Sequence, residues 1–579
     1  MMPERRVDLH AWQQARPSNF FEADRNLQRV LRMRCGEARF AAHRERLAAF
    51  GAACATTIDA AARLNDRPHN HPRLDRYTDI GERTEGIEFH PSYHEAGRAA
   101  YASGVLAVMA EPGNPLLQSA LFYLLCHNGE MGHACPIACT AGLILVLQQA
   151  AAPELRARFL PPLLETDYDR LQHGAQFLTE VQGGSDVGAN AVRAAPEPDA
   201  PGVWRIHGEK WFCSNINAHQ FLLTARPDGA PQGTRGLGLF LVPRTLDDGG
   251  VNAFRIRRLK TKIGTRTMAS AEVDFEGALA YQVGPLEHGF RTAVELVLNT
   301  SRYLNAVACA GFAARALLEA RSYADHRHAF GQPIISYPLV QENLALLAAE
   351  TWAALSSSMR LAALLDRIAA GVASDGERAT ARLLVNLNKL VTSVAATECV
   401  HRAIEVLGGN GAIEDFSVLP RLYRDAIVLE SWEGTHNVLS LQALRDMARY
   451  GLHTPFLDDA TAALEAVGQP GLASLRDEAL AAVQRARELA ARLLAADGQA
   501  AQGHARRLAE TLMATAHVAY LLQEADWELA RGEETLKPDI ARLFFDRHLR
   551  PGYTPLEDGT YLGRVARVAY GLARWKGTR

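Results

Sequence analysis

The chain has 579 residues, 48% hydrophobic and 22% charged, with a formal net charge of −3. That length exceeds one core and implies three or four domains. The near-balanced charge excludes a general electrostatic pull towards nucleic acid, so any such binding needs a local basic face. No run of about 18 apolar residues is apparent, and the polar start Met1-Met-Pro-Glu-Arg-Arg lacks a signal-peptide core. The expectation is a cytoplasmic protein with no membrane contact. Eight cysteines are scattered through the first 399 residues. Cys135 and Cys139 form a close pair without a second pair or histidines at ligand spacing, which predicts buried free thiols and no metal site.

Residues 1–168 read as a helical domain. Asn26–Ala60 carries apolar residues at three- and four-residue spacing, and Leu106–Gln149 is longer and more apolar, as buried helices are. Arg67–Arg73 is punctuated as a loop. Phe89-His-Pro-Ser-Tyr-His94 precedes a helix, where its histidines are expected as surface or capping groups.

Residues 169–287 change character. Short β-rich runs (Phe221–Thr224, Leu237–Val242, Ala271–Phe275) alternate with Gly/Pro/Asp clusters, the pattern of a small antiparallel β-domain inserted between helical ones. Within it, Phe177-Leu-Thr-Glu-Val-Gln-Gly-Gly-Ser-Asp-Val187 is a hydroxyl- and glycine-rich turn able to present Thr179 and Ser185 to a planar heterocycle. Glu180 reads as a group that stabilises this turn. Gly208-Glu-Lys-Trp-Phe-Cys-Ser-Asn215 reads as an aromatic strand.

Residues 288–452 return to helix. Thr292–Tyr323, Leu339–Ile368 and Glu377–Val406 are long enough for an antiparallel bundle. The turn Gly408-Gly-Asn-Gly411 exposes backbone N–H groups suited to an anion such as a pyrophosphate. Further on, Glu433 lies between Trp432, which desolvates a carboxylate and raises its pKa, and Gly434, which leaves room for a flat ring; both suit a carbon-acid base. Glu430 reads as helix surface. Residues 453–579 add helices at Ala462–Ala495, Gly503–Ala530 and Ile540–Leu549. From Ala541 onward there are eight Lys/Arg and three Asp/Glu, a surplus of five.

Leu407-Gly-Gly-Asn-Gly411, Arg424-Asp425 and Trp432-Glu-Gly-Thr435 together resemble the C-terminal signature of the acyl-CoA dehydrogenase flavoproteins. Phe177–Val187 is similar to that family's Thr-Glu-Pro-Gly-Ala-Gly-Ser-Asp segment, and Gly208–Asn215 to its Gly-x-Lys-x-Trp-Ile-Thr-Asn strand. Arg327-His-Ala-Phe-Gly-Gln-Pro-Ile334 is similar to its Arg-x-x-Phe-Gly-x-x-Ile loop. The resemblance implies the family fold: a helical N-terminal domain, a β-domain and a four-helix C-terminal bundle, here with an extra helical domain. It also implies FAD, an acyl-CoA substrate and an electron-transfer flavoprotein as acceptor. By the same resemblance Glu433 is the catalytic base, since Asn299–Tyr303, where other branches carry the base, has no glutamate. Arg302 matches an active-site arginine. Thr179, Ser185, Phe212, Ser214, Thr435 and Asn437 fall at the flavin. Arg327 and Phe330 fall where the cofactor of a neighbouring subunit is reached, which implies a homotetramer with a shared FAD site, and Glu405, Gly408 and Gly409 fall at the pyrophosphate turn. Three positions depart from the pattern: Phe212 for tryptophan, and Pro338 and Glu405 for glutamines. Glu405 is expected to turn towards a basic neighbour or away from the phosphates.

The basic tail and the Phe89-His-Pro motif look most like the alkylation-response, AidB-like branch. That likeness implies two readings: dehydrogenation of a short or branched acyl-CoA such as isovaleryl-CoA, or duplex DNA binding through the tail with vestigial activity. Oxidation of a small nitroalkane is a third chemistry known on this scaffold.

Overall fold

The computed structural model describes residues 6–572 apart from Pro112, so the tail cations Arg574, Lys576 and Arg579 lie outside the described residues. The chain divides into two compact units that interleave in sequence: Met1–Thr56, Pro112–Gly129 and Asn305–Arg579 form one, Thr57–Glu111 and Glu130–Leu304 the other. These units cut across the sequential segments read from the sequence. The expected helix Asn26–Ala60 is broken at Gly36 (φ 78), and Leu106–Gln149 is broken at Pro115 and at Gly129 (φ 55), where its pieces fall in different units. Glycine in left-handed backbone and proline at a first turn are the ordinary causes of such breaks.

The larger unit is helical. It opens with α1 (Val7–Gln14), α2 (Phe20–Ala23), α3 (Arg25–Cys35) and α4 (Glu37–Ala53), takes in α7 (Pro115–Cys126), and continues along α11 (Asn299–His326), whose first turns belong to the other unit. The hairpin strands β10 (His328–Ala329) and β11 (Gln332–Pro333) follow, then the long helices α12 (Pro338–Ala369) and α13 (Asp375–Leu407), close to their expected bounds. A capping box fixes the start of α13: Glu377 N–H donates to Ser374 Oγ and Ser374 N–H to the Glu377 carboxylate. Next come α14 (Leu419–Ser431), α15 (His436–Tyr450), α16 (His453–Glu465), α17 (Ala473–Ala495), α18 (Gly498–Leu529), α19 (Lys537–His548) and α20 (Tyr561–Gly571). Pro470 splits the single helix expected over Ala462–Ala495 into α16 and α17. The extra C-terminal helices share the core of this unit: α12 packs against α18, α19 and α20 as well as α13. Fully buried Lys537 pairs with Glu524 at 2.8 Å and Glu528 at 2.7 Å, and these carboxylates also meet Arg34 (3.2 Å) and Arg29 (3.0 Å) of α3.

The second unit contains α5 (Asp59–Asn65), α6 (Pro91–Ala102), α8 (Met131–Gln149), α9 (Pro153–Phe159) and α10 (Gly289–Thr292) around a sheet. The N-terminal region expected as all helix also holds a hairpin, β1 (Arg73–Tyr77) against β2 (Arg83–Glu88). Its polar, alternating half-buried residues carry no strong strand signal. In the main sheet, β6 (Gln220–Pro227), β7 (Gly238–Pro243), β9 (Ser270–Gln282), β5 (Val203–Ser214) and β4 (Arg193–Pro196) pair in that order and close back on β6. β3 (Gly174–Phe177) adds to β6, and β8 (Phe254–Leu259) to β9. The sheet is antiparallel except where β3 and β4 run parallel to β6. Its inner face is packed by Phe177, Phe221, Phe240, Phe254 and Ile206, all fully buried. Among the described residues all eight cysteines are free thiols, and seven of them are buried. Glu37–Asn65 and Met131–Gln149 are long and apolar enough to cross a membrane by length and composition alone, and the second is 83% buried as a core helix.

Two predictions follow from these buried groups. Lys537→Met leaves Glu524 and Glu528 short of a cation in a dry site and should cost about 3 kcal/mol, measured by urea unfolding; an unchanged midpoint would sink the idea that this cluster anchors the tail helices. Burial also pushes His127 and His133 down to about 4. The unfolded chain takes up protons near pH 6.5 that the folded chain refuses. These imidazoles therefore leave stability unchanged above pH 6.5 and lower it steadily between 6.5 and about 4. A His133→Phe variant should lose part of that slope; an identical slope would remove His133 from the account.

Candidate active site

In the sheet-containing unit the candidate cofactor residues gather at the end of β5. Backbone N–H of Trp211 donates to the Thr179 carbonyl at 2.9 Å, which lays the 179–190 turn beside the strand. The turn is pinned from within. Glu180, buried, accepts backbone N–H groups of Ala191 (2.6 Å) and Val192 (3.3 Å) and pairs with fully buried Lys210 at 2.8 Å. Lys210 also donates to the Leu178 carbonyl. Glu180 is thus the turn-stabilising group that its sequence position suggests, and Lys210 is its partner. At Gly184 a β-carbon would lie 2.6 Å from Thr179 Oγ1, so a side chain there collides with the threonine. The register of β5 shifts between Lys210 and Cys213, and this bulge turns Phe212 outward, 49% exposed. Lys260 Nζ lies over the Trp211 ring at 3.5 Å and over Phe212 at 4.7 Å. Ser214 Oγ sits 3.1 Å from Ser270 Oγ, and Ser185 is exposed on the turn. Arg302, in the first turns of α11, is buried, with Nη1 3.5 Å from Asn299 Oδ1.

In the helical unit the catalytic candidate occupies the turn between α14 and α15. Glu433 has φ 57 and Gly434 has φ 109, both in the left-handed region, which L side chains adopt only when surroundings hold them there. The holding group is Lys389 of α13. Fully buried, its ammonium donates to the Glu430 carbonyl at 2.8 Å and the Gly434 carbonyl at 2.9 Å, one on each side of Glu433. Asn305 of α11 secures the same helix end by donating to Leu429 O at 3.1 Å. Glu430 is not merely helix surface. Its carboxylate accepts the Thr397 hydroxyl and lies 3.7 Å from His436 Nε2, so it braces the turn. Thr435 is the N-cap of α15 but spends no side-chain hydrogen bond on capping, and both Thr435 and Asn437 are exposed at that helix start.

The Gly408–Ala412 segment is a tight 3₁₀ turn after α13. Gly411 is packed against Ile404, where a β-carbon would lie 2.6 Å from the carbonyl, whereas Gly408 and Gly409 face open space. Asn410 donates to the Tyr323 hydroxyl at 3.0 Å, joining this turn to α11. Arg327 and Phe330 sit at the β10–β11 hairpin, and Phe330, at φ 51, is 97% exposed. Glu405, exposed on the last turn of α13, makes no ion pair among the described residues, so the basic neighbour expected for it is not found.

These features fit a flavin dinucleotide. In the sheet-containing unit an outward aromatic with hydroxyls beside it suits an isoalloxazine; in the helical unit, taken by itself, an uncapped helix start and open glycines suit a pyrophosphate. The sequence did not reveal Lys389, Lys210 or His436. The usable signal for Lys389 was that it is the single lysine of α13, set among apolar residues.

Residues 287–448 match the acyl-CoA dehydrogenase C-terminal domain and residues 175–278 its middle domain, while residues 12–170 match the adaptive response protein AidB N-terminal domain. The chain belongs to the acyl-CoA dehydrogenase family. Within it, the chain carries the AidB type of N-terminal domain. It is 32% identical over 439 residues to acyl-CoA dehydrogenase family member 11 of Caenorhabditis elegans, covering 74% of this chain and 70% of that one. It is 35% identical over 390 residues to AidB of Escherichia coli strain K12, covering 65% and 69%. Among solved structures it is similar to C. elegans ACDH-11 in complex with C11-CoA, with a TM-score of 0.84, 27% identity and 90% of each chain covered.

Lys389→Met removes both carbonyl contacts that frame Glu433. Folding stability should fall by about 1–3 kcal/mol, and reduction of the loaded protein by acyl-CoA should slow at least tenfold while cofactor content holds. Wild-type reduction rates in this variant would show that the turn keeps its shape without the lysine.

Proposed function

We propose that this chain is an FAD-dependent acyl-CoA dehydrogenase in which Glu433 removes the α-proton of the thioester. The observation that carries this reading is the turn itself: a glutamate in left-handed backbone, between half-buried Trp432 and a glycine, with a buried lysine fixing the carbonyls on either side. A base held by its backbone meets the substrate carbon from one direction, which is what proton abstraction needs. The C–H bond at the α-carbon breaks as an O–H bond forms on Glu433, and the freed electron pair becomes the α,β double bond. The backbone N–H of Glu433 donates to the thioester oxygen and draws charge onto it. Bound FAD supplies the acceptor for the β-hydride. Phe212, Thr179 and Ser214 would hold the flavin ring, and Arg302 contributes a buried positive charge. Arg327 and Phe330 serve the cofactor of a neighbouring copy in a homotetramer, and an electron-transfer flavoprotein reoxidises the reduced protein.

The substrate is an acyl-CoA, and a panel running from isovaleryl-CoA to C11-CoA, the ligand held by the nematode relative, covers the proposed range. DNA binding through the tail has weaker support. Arg542, Arg547, Arg550, Arg564 and Arg567 each lie within 4 Å of a carboxylate of the same chain, which leaves their charge largely compensated.

Glu433→Gln should keep the flavin absorbance and lose substrate-induced bleaching by about three orders of magnitude, as loss of a general base does. Anaerobic mixing with the acyl-CoA panel checks this. Bleaching at the wild-type rate in the variant would reject Glu433 as the base.

A further inference from the structure

The short helix α1 touches both loops that the helical unit offers to a cofactor. Its eight residues receive no side-chain cap bond, and of them Trp12 alone is buried. A helix of that length does not hold its shape in water by propensity. Two side chains on one face of it, Asp8 and Trp12, lie one turn apart and tie it down. The Trp12 indole stacks on Phe416, with ring centres 5.1 Å apart and planes 14° from parallel, and meets Tyr323 edge-on at 5.5 Å. Phe416 follows the Gly408–Ala412 turn in the chain, and the Tyr323 hydroxyl accepts Asn410 of that turn at 3.0 Å. Trp12 thus packs on the two rings that border the glycine turn.

Asp8 reaches the other loop. One of its carboxylate oxygens accepts the backbone N–H of His328 at 2.9 Å, and the other lies 3.4 Å from His328 Nδ1. His328 opens β10 and follows Arg327 directly. The hairpin consists of two strands of two residues each, a length that is marginal by itself, and its tip holds Phe330 and Gly331 in left-handed backbone, φ 51 and 88. Within the loop, Ile334 N–H donates to the Arg327 carbonyl at 2.8 Å and the Tyr337 hydroxyl to the Ala329 carbonyl at 2.6 Å. Asp8 adds a charge-assisted anchor from outside the loop, at the residue next to the arginine. We infer that α1 is a strap that sets the two cofactor loops: Asp8 is a positioning residue for Arg327 and Phe330, and Trp12 for the Gly408–Ala412 turn. This rests on the reading that Arg327 and Phe330 serve bound FAD.

Release of FAD from the loaded, full-length protein tests the strap, followed as recovery of flavin fluorescence after dilution. Asp8→Ala should speed release about tenfold, the factor that one hydrogen bond to a charged group is worth, with the far-UV circular dichroism unchanged. Gln13→Ala, on the exposed side of α1, should release FAD at the wild-type rate. When Arg327 and Phe330 are both already alanine, Asp8→Ala should add nothing, because the groups it positions are gone. A merely structural Asp8 would add its full effect there. Wild-type release from Asp8→Ala, or an undiminished effect in the double-alanine background, would overturn the inference while leaving the cofactor reading intact. A wild-type protein that takes up no FAD at all would instead overturn that reading, and the strap with it.

Discussion

A single buried ammonium governs the geometry of the turn that carries Glu433. Lys389 is removed from water, and its ammonium donates to the Glu430 and Gly434 carbonyls, at 2.8 and 2.9 Å. The last carbonyls of a helix carry partial negative charge and have no partner inside it, so a cation there satisfies both needs at once. The result is a loop that cannot relax into ordinary backbone. Glu433 and Gly434 stay in the left-handed region, and the carboxylate springs from a fixed point. The braces reach α11 through Asn305 and α13 through Thr397.

The same device recurs in the other unit. Lys210 and Glu180 form a fully buried pair that ties the 179–190 turn to β5. Charge is used twice, in unrelated local folds, to hold an irregular segment that has few apolar contacts of its own. Burying such pairs gives modest net stability, but breaking one is costly, so they act as geometric pins more than as a source of stability. The groups offered outward are of the opposite kind: Phe212 and Phe330 are exposed aromatics, and Gly408 and Gly409 face open space.

The C-terminal helices are part of the helical unit's core and not an appended arm. Their arginines answer carboxylates of the same chain, and Lys537 holds α18 to α19 in a cluster that also takes in α3. Among the described residues, Arg542, Arg547, Arg550, Arg564 and Arg567 each lie within 4 Å of a carboxylate.

The sequence by itself determined the elements with unbroken periodicity. α12 and α13 lie within two residues of the helices expected there, and the strands appear where β-branched and aromatic runs alternate with turns, because local pattern dictates both. It also singled out Glu433 and the two glycine turns as candidates, because those residue types are rare in combination. Only the tertiary structure decided the rest. It interleaved the two units, because breaks at Pro115 and Gly129 let neighbouring helices pack into different cores. It made Glu430 a brace and Lys389 a clamp, because each depends on a partner far away in sequence. Left-handed backbone at Glu433 is not favoured locally and persists because surrounding packing holds it.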